Sequence, residues 1–318
     1  MLILAASAIY AGLVLLAYFG SDDIRELLSK LGLESFRVTY SDHPLGATYE
    51  YPFVFPRLAL GGEQNSNPII GAALFGFSII LGVREYCLST RKLAKCFLAS
   101  LVLISFFVMM LYQSRGPLIS LFITAIMVAG FMLNRPNAAI RRKPILKVFF
   151  ILFSVYLGLM FLNGLTFDRL YTGSRLNIFE QCAPTSVLEL TFGRGWNQDQ
   201  AVHLDGKVFA HCHSIYVTTL RDTGIVGLLM FLAVPSYLIV SRYNNSVSYI
   251  TWTASLFFGG LALASDGSYP LTNPSYIWIL WWLPISMLAG LPYSKRHLKT
   301  LQKLLCIYGI ETKNVTQC

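Results

Sequence analysis

Charge is what this chain lacks. Only 13% of its 318 residues are Asp, Glu, Lys or Arg, about half the ~25% usual in a soluble globular chain. Scarcity of charge along the whole length excludes a disordered protein and a nucleic-acid-binding tail. The six cysteines form no Cys-x-x-Cys pair and no other zinc spacing. Met1 to Phe19 lacks the basic start and small-x-small cleavage site of a signal peptide, so it reads as a spanning helix. What abounds is apolar. Hydrophobic residues make up 55%, aromatics 14%, and mean hydropathy is +0.56, more apolar surface than one water-soluble core can hide. The composition predicts a polytopic membrane protein, and the net charge of +9 is then a topology signal.

Eight apolar stretches approach the ~20 residues that cross a bilayer as a helix. They run from 1 to 19, 68 to 83, 96 to 112, 117 to 133, 145 to 162, 224 to 240, 247 to 264 and 276 to 291. Lipid offers no hydrogen-bond partners, so runs of this length must be helical. The expected fold is all-α, a membrane helix bundle of about 8 spans with short helices in one large external loop. Its expected divisions are a first span and external loop (1–67), a transmembrane block (68–162), the large loop (163–223), a second transmembrane block (224–292) and a basic tail (293–318). Loops 84–95, 134–147, 241–246 and the tail hold fifteen of the 25 Lys and Arg with only two acids, Glu85 and Glu311. That asymmetry predicts cytoplasmic termini, with loops 20–67, 113–116, 163–223 and 265–275 on the far side. Arg141-Arg142-Lys143 and Lys295-Arg296 then read as topology anchors, not as nucleic-acid contacts. The chain starts inside its first apolar run, as a shortened form of something larger would.

The cytoplasmic loops are short and basic, so chemistry is expected outside. Loop 163–223 carries Arg169, Arg175, Arg194, His203, His211, His213 and Arg221 with Asp199, Asp205 and Asp222. Cys182 and Cys212 share this loop, where an oxidising compartment permits a bridge. Cys87, Cys96, Cys306 and Cys318 read as free thiols. Ser114-Arg115-Gly116-Pro117 is a hairpin tip with Pro117 suited to a first helical turn. Arg115 would stand at a helix N-terminus, where a cation is disfavoured unless an anion completes the site. The plainer reading is an arginine snorkelling to lipid phosphates. Arg175 opens a stretch to Leu190 with the pattern of a short amphipathic helix, and Gly193-Arg194-Gly195 reads as a tight turn. In a continuous helix His213 and Gly224, eleven positions apart, share a face; the competing reading is a break, with Asp222 or Thr223 capping a new helix. His211 and His213 form a His-x-His pair that could join His203 or Asp205 on a metal, although the spacing offers no third ligand. A histidine at the membrane surface more naturally serves as a general base.

Together these residues resemble a family, the bacterial O-antigen ligases. The likeness rests on the Ser114-Arg115-Gly116 hairpin, Arg175, the Gly193-Arg194-Gly195-Trp196 turn, and His213 with Gly224 beyond it. The run Gly224-Ile225-Val226-Gly227-Leu228-Leu229 and the segment from Arg57 through Asn67-Pro68 extend it over roughly residues 57 to 290. The chain has fewer spans than the family usually has, the difference lying N-terminal. The resemblance implies an enzyme of the bacterial inner membrane with a periplasmic site and no cofactor or metal. It would transfer a polysaccharide from undecaprenyl pyrophosphate to a sugar hydroxyl of lipid A–core, with membrane lipid and no nucleic acid as further partner. His213 is the implied base and Arg115 and Arg175 the implied diphosphate clamp. Ser114, Arg194, His211, Gly224, Asp222 and Asp266 are supporting candidates, Asp222 and Asp266 also as alternative bases. Other readings are an O-antigen polymerase, a protein O-oligosaccharyltransferase, a metal-dependent polyprenol-phosphate glycosyltransferase using Asp22-Asp23, or a transporter. A transporter would want charge within its spans, and only the span ends carry it.

Overall fold

The computed structural model describes residues 2–19, 68–112, 114–133, 175–195, 201–204, 207–209, 211–244, 246–267 and 275–293. In chain order the helices are α1 (Leu2–Phe19), α2 (Pro68–Leu88), α3 (Lys92–Leu111), α4 (Arg115–Leu133), α5 (Arg175–Cys182) and α6 (Val187–Phe192). A hairpin of β1 (Val202–Leu204) and β2 (Lys207–Phe209) precedes α7 (Ile215–Ser241) and α8 (Val247–Ser265). A π-helical turn, Trp278–Trp282, then runs into α9 (Leu283–Ala289). The chain is mostly helical, as its apolar runs require.

Four of these helices are long and apolar enough to cross a membrane: α2, α3, α7 and α8. The stretches in α1, α4 and Trp278–Ala289 are apolar but shorter, and the expected span at 145–162 lies outside the described residues. Residues Ile215–Ser241 begin nine positions before the apolar run that announced the helix, because the first two turns carry Thr218, Thr219, Arg221 and Asp222.

The packing follows helix composition. α2 lies between α3, α4 and α8, and α8 also holds α4 and α9. Within their apolar windows 56% of α2 and 61% of α8 are buried, against 22% of α3 and 17% of α7. α2 and α8 therefore form the centre, while α3 and α7 turn most of their surface outward. Phe75, Phe77, Met109, Tyr112, Phe258 and Leu280 are among the fully enclosed side chains of the core. Small residues let backbones approach at the centre: a Cβ on Gly259 would fall 1.9 Å from the carbonyl oxygen of Leu280, the kind of close contact that membrane bundles use in place of hydrophobic drive.

Residues 175–209 differ from expectation in two places. The helix expected over 176–190 is two helices, α5 and α6, separated at Ala183–Ser186, where Pro184 removes a backbone donor. Ser186 then caps α6, accepting from the Glu189 amide at 3.1 Å, while the Glu189 carboxylate accepts from the Thr185 amide at 2.9 Å. The two bonds close the first turn of α6 from both sides. The second difference is the antiparallel pairing of Val202 with Phe209 and Leu204 with Lys207, a small departure from an all-α fold.

Candidate active site

Ser214 is the N-cap of α7, with an extended backbone. The residue before it, His213, has φ of 52°, in the left-handed region. It is the sole non-glycine residue with positive φ among the described residues. Side chains other than Asn, Asp and His rarely accept this conformation, and a non-glycine residue holds it at a cost of about 1–3 kcal/mol. The shared-face reading of His213 and Gly224 is therefore corrected: His213 stands outside the helix. Gly224 is itself non-helical, at φ 65° and ψ −170°, a kink inside α7. A break is present, as the competing reading held, but Thr223 donates to the Thr219 carbonyl at 2.7 Å, inside the first segment.

The strained turn aims the imidazole at Asp266. His213 Nδ1 lies 2.9 Å from Asp266 Oδ1, and Asp266, the C-cap of α8, is only 2% exposed. A carboxylate only accepts, so Nδ1 is the donor of this bond, and in the neutral imidazole Nε2 then keeps its lone pair. That is the tautomer a general base needs. Fifty-three residues separate the pair, and only the packing of α7 against α8 brings them together. A Cβ on Gly267 would fall 2.9 Å from the Ile215 backbone nitrogen, so the chain after Asp266 is pressed onto the start of α7.

The His211 ring lies tilted at 60° beside that of His213, centroids 4.6 Å apart, and its Nδ1 accepts from the His213 amide at 3.0 Å. Burial first, and then the neighbouring His213, hold the His211 imidazole below its ordinary range; Asp266 opposes this. His211, His213 and Asp266 together offer three ligand atoms within 4.8 Å of one another. The third ligand that the His-x-His spacing lacked thus comes from α8, not from His203, which sits exposed on β1.

Arg115 is the first residue of α4, and Ser114 before it is buried. A Cβ on Gly116 would fall 2.1 Å from Ser265 Oγ, so the first turn of α4 touches the last residue of α8. Arg115 and the positive end of α4 therefore reach the same end of the bundle as Asp266 and His213. The positive end of α4 at this end of the bundle favours an anion there. The donor types at His211, His213 and Asp266 would suit a borderline divalent ion.

Arg175 opens α5, and its side chain lies outside the described residues, as do Trp196, Asp199, Asp205, Arg169, Asp22, Asp23 and Arg57. A disulfide joins Cys182, at the other end of α5, to Cys212. It ties the helix that Arg175 opens to the residue preceding His213. Both bridged cysteines are fully enclosed, with Ile178 and Val202 packed around them.

Arg194 is used structurally. Its Nε donates to Glu189 at 3.2 Å and its terminal nitrogen to the Ala183 carbonyl at 2.8 Å. The glycines on either side, at φ 80° and 89°, bring backbone against α7. The amides of Arg194 and Gly195 donate to the carbonyls of Arg221 and Asp222 at 2.8 and 3.0 Å. A Cβ on Gly224 would fall 2.2 Å from the Thr191 carbonyl oxygen. The Gly-Arg-Gly turn and the Gly224 kink thus meet each other, and Asp222, buried at this junction, belongs to the same seam.

The chain is similar in sequence to an O-antigen ligase. The O-antigen ligase of Pseudomonas aeruginosa is 26% identical over 233 residues, which are 72% of this chain and 56% of that protein. The chain thus spans about half the length of the curated relative it matches. No family model and no solved structure matches.

Proposed function

We propose that the chain transfers an O-antigen polysaccharide from undecaprenyl pyrophosphate to a sugar hydroxyl of lipid A–core at the periplasmic face of the bacterial inner membrane. The observation that supports it most is the His213–Asp266 pair beside the N-terminal end of α4. His213 Nε2 takes the proton of the acceptor hydroxyl as its oxygen attacks the anomeric carbon. The bond from that carbon to the diphosphate breaks, and the pair of electrons leaves with undecaprenyl diphosphate. Arg115 and Arg175 meet the charge that develops there, and the positive end of α4 adds to it. One displacement inverts the anomeric centre. The donor is already activated, so no nucleotide enters. Both cytoplasmic termini and the external position of the loop follow the charge asymmetry of the sequence.

The test is reconstituted transfer in proteoliposomes, with His213→Ala and His211→Ala compared. Losing the base should lower the rate by ~10²-fold or more, while His211→Ala does less. Near-parental transfer by His213→Ala would remove the general base. A second reading, metal-dependent transfer, is favoured by the ligand atoms of His211, His213 and Asp266. Transfer that survives excess EDTA supports the metal-free reaction; loss on chelation with rescue by a divalent ion supports the other.

A further inference from the structure

Helix α6 carries almost no polar surface of its own. Its single charged residue, Glu189, is folded back onto Thr185 and Arg194. Thr191 bonds back to the Val187 carbonyl at 2.8 Å, and the apolar side chains are open to the outside: Val187 is 81%, Leu188 71% and Phe192 63% exposed. None of its six residues is buried. Exposed apolar residues scattered singly need no explanation, but a whole helix of them does.

The position of α6 says what covers it. The Gly193 and Gly224 backbones fix it against α7 at the kink. Beyond that kink α7 is an apolar spanning helix with its surface turned outward, Leu229 and Met230 among its exposed residues. The apolar surface of α6 therefore continues into the lipid-facing surface of a membrane span, at the point where that span begins. We propose that α6 lies in the interface of the bilayer, with Val187, Leu188 and Phe192 among the upper acyl chains of the leaflet on the His213 side. The Ser186 cap and the bonds of Glu189 to Thr185 and Arg194 hold its polar groups, so that insertion buries no unpaired charge. Pro184 and Cys182 stand just before α6, so the bilayer holds the bridged loop and His213 at a fixed depth. The inference rests on α7 spanning the membrane and not on the reaction assigned to the site.

Single cysteines at Leu188, Phe192 and Met230, in a full chain with Cys87, Cys96, Cys306 and Cys318 replaced by serine, test it. Each is labelled with an environment-sensitive fluorophore in phosphatidylethanolamine–phosphatidylglycerol proteoliposomes. Nitroxide lipids labelled near the headgroup or at mid-chain, and aqueous iodide, serve as quenchers. Labels at 188 and 192 should lose most emission to the headgroup-proximal nitroxide and little to iodide. The label at 230 should respond to the mid-chain nitroxide. Quenching of 188 and 192 by iodide alone overturns the proposal in favour of a solvated loop. Protection from all three quenchers overturns it in favour of a covering polypeptide. If Met230 also escapes both nitroxides, the spanning role of α7 fails, a result distinct from failure of α6 alone.

Discussion

Replacing Asp266 with asparagine exchanges one carboxylate oxygen for an NH₂ group at nearly constant volume. In the parent, Asp266 accepts from His213 Nδ1 at 2.9 Å and is 2% exposed, so little water can substitute for it. A hydrogen bond to an ionised, enclosed carboxylate contributes about 1.5–3 kcal/mol. If the imidazolium that forms during proton transfer loses that amount, kcat falls roughly ten- to 150-fold. The amide adds a second penalty, because its NH₂ can donate to Nδ1 and move the imidazole hydrogen to Nε2, where a base must be bare. Asp266→Ala lacks that donor and admits water, so it should transfer at least as fast as Asp266→Asn. The assay is single-turnover transfer in proteoliposomes, with KM for the lipid-linked donor measured in parallel and expected to move little. Parental kcat in Asp266→Asn, or Asp266→Ala clearly slower than Asp266→Asn, would refute the tautomer argument.

Arg115→Lys keeps a charge but loses the planar fork, so transfer should fall roughly ten- to a hundredfold, with Arg115→Ala lower still; the same changes at Arg142 should leave transfer unchanged, and equal rates for Arg115→Lys and parent would make Arg115 a lipid anchor. Cys182→Ser and Cys212→Ser each open a loop closed across 30 residues, and the thermal unfolding of both, and of the double variant, should show a similar loss of about 3–4 kcal/mol. Reductant should reproduce that loss in the parent and add nothing to the variants. Hydrogen bonds from the Thr185 amide and hydroxyl, with Arg194, hold the Glu189 carboxyl below its ordinary value of 4.5. A depressed carboxyl stabilises the fold above its unfolded pKa and loses that contribution as pH falls through the folded value. Amide exchange in α6 should therefore quicken on acidification into and below the carboxylate range, and Glu189→Gln should exchange fast throughout.

The membrane helices were legible because lipid demands one kind of surface and one backbone solution, whatever the tertiary partners. Where α7 begins was not legible, because Thr218 to Asp222 are polar and the hydropathy that marks a span starts only at Gly224. The hairpin has a signal in the sequence: Val202 and Leu204 before Asp205-Gly206, a strong turn dipeptide, and Phe209 after it on the same face. Two cysteines in one loop suggested the bridge, and the fold supplied the geometry. His213 stood out by its motif, whereas Asp266 entered as one supporting acid among several. Its pairing depends on a contact across 53 residues, which no local pattern encodes. The Gly193-Arg194-Gly195 turn is legible as a turn, but glycine signals close approach without naming what approaches; the partner is the α7 backbone.

The backbone at His213 carries a consequence for how variants of this protein are ranked. At ordinary sites alanine is more stable than glycine, since glycine loses more freedom on folding. At φ 52° the order should invert. His213→Gly and His213→Ala both delete the imidazole and both leave Asp266 without that partner, so the difference between them isolates the backbone. Glycine there should melt higher than alanine, by an amount set by left-handed strain of about 1–2 kcal/mol. A library sorted on heat resistance alone would thus be drawn to glycine at the position on which the proposed chemistry depends, and survival would select against activity.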